Sequence, residues 1–114
     1  MPPDNPSISG YQSVWLFAMF DLPTKTKVER RRYTRFRNLL LDEGFSQMQY
    51  SVYARFCDSD ATAKTYRKHL RKRLPDDGHV RLLTITDRQF EKMESFHGKK
   101  HVPTEEPPEQ LVLF

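Results

Sequence analysis

Cysteine is almost missing from this sequence, with Cys57 standing alone. No disulfide can form within the chain, and no cysteine cluster can hold zinc. A small buried thiol is the expected role. Glycine is scarce as well, with four scattered residues in 114. A glycine-rich phosphate loop cannot be built from them, which removes kinase and dinucleotide-binding readings. No apolar run is long enough to span a membrane. Met1 to Gly10 lacks the charged start and long apolar stretch of a signal peptide, so a cytoplasmic location is expected. His69, His79, His97 and His101 show no metal-enzyme spacing. They read as surface residues, with His101 a candidate phosphate contact. The recognition signature of an RNA-recognition motif is absent too.

Aromatic residues and positive charge are what the chain has in quantity. Trp15, five Tyr and eight Phe supply enough apolar mass for one small core. They do not supply a core plus a deep cleft made by one chain alone, so a site completed by a second subunit is expected. The net charge is +4, but from Lys25 to Arg73 fourteen Lys and Arg face five Asp and Glu, a local balance of +9. From Asp87 to Glu109 the balance is −2. Such a concentration of basic charge suits a polyanion, above all nucleic acid.

Along the chain, residues 1–13 read as a loose extension rich in Pro, Ser and Asn. Val14 to Phe20, an unbroken apolar run, predicts a strand buried on both faces and stopped by Pro23. Thr26 and Glu29 have the spacing of a capping box at the start of a helix. Tyr33, Phe36 and Leu40 form its buried stripe, and Gly44 is a suitable stop. Phe45 to Phe56 alternates apolar and polar residues as strands do, with a break expected near Gln49 to Ser51. A second helix begins near Asp58-Ser59-Asp60, with Ala63, Tyr66, Leu70 and Leu74 as its stripe. Pro75 to Gly78 reads as a turn and Val80 to Thr86 as a strand. The pattern leaves Phe90 to Phe96 open between strand and helical turn. Gly98 to Gln110 reads as a linker. It leads to the apolar Leu111 to Phe114, which could add as a strand to a sheet edge. Strands with intervening helices predict an α+β fold with two helices on one face of a small sheet.

Asp21 is the candidate for chemistry. It ends the apolar strand in Met19-Phe-Asp-Leu-Pro23, and a strand-end carboxylate is well placed to hold Mg²⁺ or Mn²⁺ against a phosphate. The plainer alternative is a polar residue beginning a turn. One carboxylate rarely suffices for Mg²⁺, and Asp58 and Asp60 are explained as caps. A two-fold homodimer answers this objection by presenting two copies of Asp21 to one site.

Met19-Phe-Asp21-Leu-Pro, the arginine-rich Glu29 to Arg37, Gly44-Phe and Gln49-Tyr-Ser-Val-Tyr-Ala-Arg55 together resemble the CRISPR-associated protein two family, over about Trp15 to Phe96. The resemblance implies a ferredoxin-like βαββαβ sandwich at residues 14–97, an extra C-terminal strand in residues 98–114, and a symmetric homodimer. It implies that Phe45 to Phe56 holds two strands and that Asp21 is the metal-associated, catalytic residue. Two functions are implied. One is a scaffold that bridges integrase dimers (CRISPR-associated protein one) and binds duplex DNA during spacer acquisition. The other is a metal-dependent endonuclease acting on RNA or DNA. A toxin-like ribonuclease with the same fold is a third reading. Arg30, Arg31, Arg35, Arg37, Lys68, Arg71 and Lys72 are the candidate phosphate contacts, and Ser51 is a candidate support for the site.

Overall fold

The computed structural model describes residues 12–108. The elements run β1 (Val14–Asp21), α1 (Lys27–Asp42), β2 (Ser46–Gln49), β3 (Val52–Cys57), α2 (Asp60–Arg71), β4 (His79–Thr86), α3 (Asp87–Glu91), β5 (Ser95–His97) and β6 (Lys100–Val102). Four strands form one sheet in the order β2-β3-β1-β4. Both neighbours of β1 are antiparallel to it. The chain is therefore α+β, and its βαββαβ order is consistent with a ferredoxin-like fold.

β1 is central because it can be buried on both faces. Val14, Leu16, Ala18 and Phe20 point towards α1 and α2, where Phe36, Leu39, Leu40, Ala63 and Leu70 close over them. Trp15 and Phe17 point the other way, onto Ala54 and Phe90. Phe90 comes from α3, which lies on the sheet face opposite the two long helices. Its ring stacks on Trp15 at 4.0 Å and 11°. The indole Nε1 donates to Asp87 Oδ1 at 2.8 Å, so the buried Trp keeps its hydrogen bond. The sheet thus carries a main core under α1 and α2 and a smaller aromatic core under α3.

The caps form as their residue types dictate. Glu29 N donates to Thr26 Oγ1 at 3.1 Å, while Glu29 Oε1 accepts from Thr26 N at 2.9 Å and Lys25 N at 3.0 Å. Ser59 caps α2 by accepting from Thr62 N at 3.2 Å. Leu39 joins Phe36 and Leu40 in the buried stripe of α1, and Tyr33 is half-buried beside them. Leu74 departs from expectation. α2 ends at Arg71, so Leu74 lies beyond the helix and is 44% exposed. The Phe45 to Phe56 stretch is two strands, with a register shift between Gln47 and Gln49. The open segment after Phe90 resolves into both alternatives, since α3 ends at Glu91 and β5 starts at Ser95. β6 falls within the stretch expected as a linker and pairs with β5 in a separate two-stranded sheet. Leu111 to Phe114 and most of the expected N-terminal extension lie outside the described residues.

Candidate nucleic-acid interface

Asp21 sits at the last position of β1 and is exposed. Side chains alternate along a strand, so Asp21 follows Trp15 and Phe17 onto the face away from α1 and α2. Register sets His79 directly across from it and Arg81 across from Met19. Among the described residues no ion pair reaches its carboxylate. The turn before β4 clamps the backbone at this point. Gly78 has φ +83°, and a Cβ there would stand 2.4 Å from Asp21 O and 2.7 Å from Leu22 Cδ2.

The described residues of one chain do not by themselves fit Mg²⁺ or Mn²⁺. Among the described residues, no group of three His, Cys, Asp or Glu could hold a metal ion. Mg²⁺ demands several oxygen ligands in near-octahedral array, and Asp21 offers one carboxylate.

Ser51 reaches the same end of the sheet by its backbone. Its carbonyl accepts from Phe20 N at 3.0 Å, one residue before Asp21. Its hydroxyl is turned to Tyr33, at 3.1 Å from the phenol oxygen. Ser51 has φ +61°, the one positive value among described residues other than glycine. That conformation costs about 1–2 kcal/mol for an L-residue, and its two hydrogen bonds offset the strain. The turn displays Tyr50, 72% exposed, with its ring stacked on Tyr33 at 5.9 Å and 16°. The neighbouring Tyr33 phenol holds the Tyr50 hydroxyl above the ordinary value of 10.0.

The basic residues divide into those held by the fold and those left to solvent. Arg55 is held: its guanidinium lies 3.8 Å from the centroid of the Tyr66 ring and donates to Glu43 O at 2.9 Å and Phe56 O at 2.8 Å. Arg32 pairs with Asp77 at 2.6 Å, and Arg67 Nε donates to Thr84 at 3.1 Å. Arg30, Arg31 and Arg35 line one open cleft of about 600 Å³ together with Lys27 and Arg73. Arg30 is aimed by donating to Lys25 O at 2.9 Å and Thr24 O at 3.2 Å. Asp42 is the acidic residue in that lining. Arg37 is half-buried and outside the cleft. Lys68, Arg71 and Lys72 are exposed on α2 and just beyond it, also outside the cleft.

Sequence reasoning missed Lys27 and Arg73 as members of this group. The signal was present in the helical spacing of Lys27, Arg31 and Arg35, but Arg73 joins them only through the packing of α1 beside the end of α2. It also missed the β5–β6 hairpin, where Lys99 and Lys100 adjoin an exposed Phe96 whose ring meets His101 at 5.3 Å. Cys57 is buried, and burial pushes its thiol upward from the ordinary value, the setting of a structural thiol. No described helix is long and apolar enough to cross a membrane.

One small antiparallel sheet thus carries a basic helical face and a strand-end carboxylate. The family described as CRISPR associated protein Cas2 matches residues 14–93. Among its relatives are three named CRISPR-associated endoribonuclease Cas2. The chain is 47% identical to the one from Flavobacterium psychrophilum, over 94% of this chain and 93% of that protein. It is 45% identical to the one from Paracidovorax avenae, over 94% and 99%. It is 50% identical to the one from Parvibaculum lavamentivorans, over 89% and 100%. The chain belongs to the CRISPR-associated Cas2 family.

Proposed function

We propose that this protein works in the cytoplasm as a homodimeric adaptor in spacer acquisition, binding duplex DNA and bridging integrase subunits (CRISPR-associated protein one). The observation that carries the reading is the cleft where Lys27, Arg30, Arg31, Arg35 and Arg73 converge. Guanidinium groups suit bidentate contact with phosphate. Phosphate contacts position a duplex without reading its bases, as an adaptor for varied spacers requires. The face of the sheet opposite the long helices supports the homodimer. There Leu83 is 47% exposed, and Met48, Val52, Phe56 and Ile85 are only partly buried. A second copy laid on this face would cover them and bring the two Asp21 ends into one assembly.

A second reading is a metal-dependent endonuclease. It is favoured by the exposed carboxylate of Asp21 and by the names of the relatives. Because one chain lacks the ligands, this reading depends on Asp21 from both copies, with Mg²⁺ or Mn²⁺ supplying Lewis-acid activation when bound. The deciding experiment is spacer integration with purified integrase, comparing wild type and Asp21→Ala. Normal integration by the variant supports the adaptor. Failure by a variant that still forms the dimer and the integrase complex gives Asp21 a chemical role. Cleavage that survives both chelation and Asp21→Ala removes the endonuclease mechanism.

A further inference from the structure

We propose that Tyr50, stacked on Tyr33 at the Asp21 end of the sheet, is a platform for an unpaired nucleobase and lets the protein prefer nucleic acid with a single-stranded segment. This rests on the nucleic-acid reading above and adds a specificity element to it. Tyr50 is the most exposed of the large apolar side chains described, at 72%. Its ring offers a broad apolar surface with a polar tip, the shape that a flat ligand can cover. The ring is also held in place. It is the outer rung of a ladder that starts in the core, with Phe20 5.6 Å from Tyr33 and Tyr33 5.9 Å from Tyr50. Tyr33 lies offset against one side of Tyr50, which leaves most of the ring open to a flat ligand.

The turn beneath it is built to hold this pose. Ser51 adopts φ +61° and is tied by its hydroxyl to Tyr33 and by its carbonyl to Phe20 N. Strain kept at a surface turn points to function more often than to stability. Charge identifies the occupant. Arg30 and Arg37 lie three residues before and four after Tyr33 on α1, so they share its side of the helix. An exposed aromatic ring packed on a helix that carries guanidinium groups on the same side suits the stacking of a base while α1 neutralises its phosphates. Stacking requires an unpaired base, because a base inside a duplex has both faces covered. The duplex would lie along the arginine cleft, and a frayed end or single-stranded segment would reach Tyr50.

The test compares a single-stranded oligonucleotide, a blunt duplex and a duplex with one single-stranded end. Each carries 2-aminopurine and is titrated with the full-length protein. Tyr50→Ala is expected to weaken binding of the two substrates with unpaired bases by about tenfold and to abolish the stacking quench. Blunt-duplex binding should stay within about twofold. Tyr50→Phe and Tyr50→Trp should keep both affinity and quench. Equal affinities for all substrates with Tyr50→Ala and wild type would overturn the platform, as would an equal loss on the blunt duplex. A Tyr50→Ala protein that sediments as a smaller species than wild type would overturn it too, assigning the ring to contact between copies instead. A wild type that binds none of the substrates would remove the nucleic-acid reading itself, a different outcome from insensitivity to Tyr50.

Discussion

Replacing Gly78 by alanine should both destabilise the protein and disturb Asp21. Two effects add. At φ +83° an L-residue is disfavoured by about 1–2 kcal/mol. The new Cβ would also stand 2.4 Å from Asp21 O, 2.7 Å from Leu22 Cδ2 and 3.0 Å from Leu22 Cα. The Leu22 methyl can rotate, but the other two atoms are backbone and must shift. Such overpacking costs about 1–3 kcal/mol, which brings the expected loss to about 2–5 kcal/mol. For a domain of this size each kcal/mol lowers Tm by about 4–8 °C. Gly98 supplies the control. It has φ +61°, and a Cβ added there would meet nothing within 4 Å, so Gly98→Ala carries the backbone cost alone. Thermal unfolding by circular dichroism, at one protein concentration, should place Gly78→Ala clearly below Gly98→Ala. Equal melting temperatures would refute the argument from overlap. The functional consequence is separate. Because the obstructed atom is the carbonyl of Asp21, any folded Gly78→Ala protein should lose whatever activity depends on Asp21, while the proposed salt-dependent binding of nucleic acid through α1 should persist.

Three further outcomes are expected. Arg31→Ala combined with Arg35→Ala should reduce the slope of log affinity against log salt by about 1.8 for a duplex, measured by fluorescence anisotropy. Arg55→Ala should instead lower stability and leave the slope unchanged, since its guanidinium is spent on Tyr66 and backbone carbonyls. Phe90→Ala should cost about 3–5 kcal/mol, because the ring is buried against Trp15, and Trp15 fluorescence should shift to the red. Glu29 is held below its ordinary value of 4.5 chiefly by the hydrogen bond from the Thr26 backbone. A lowered carboxyl value contributes stability that is present above 4.5 and lost as pH falls through the folded-state value. Acid titration of unfolding should therefore show a smaller loss of stability across that window in Glu29→Gln than in wild type.

Local chemistry determined much of this fold in advance. The apolar run of β1 could satisfy its side chains only between two covered faces, and that is where it lies. Thr26 with Glu29, and Ser59 at the head of α2, marked helix starts because their oxygens match unpaired backbone donors. The aspartate closing an apolar strand marked the exposed end of the sheet. Leu74 misled because helical spacing continues on paper past Arg71, whereas the chain there already turns towards Pro75. β5 and β6 were obscure because three-residue strands are too short to show a period.

The sequence by itself determined the apolar centre, the helix caps, the concentration of positive charge and Asp21 at a strand end, all of which depend on residues close together in the chain. Tertiary structure decided which charges are free. Arg32 looks like its neighbours in sequence and Arg55 stands among apolar residues, yet packing commits them to Asp77 and Tyr66, while Arg73 is brought from the end of α2 to the cleft of α1. It also decided that Phe90 seals Trp15 and that Ser51, strained at its turn, displays Tyr50. Such contacts join segments far apart in the chain, and no local pattern encodes which partner a side chain will meet.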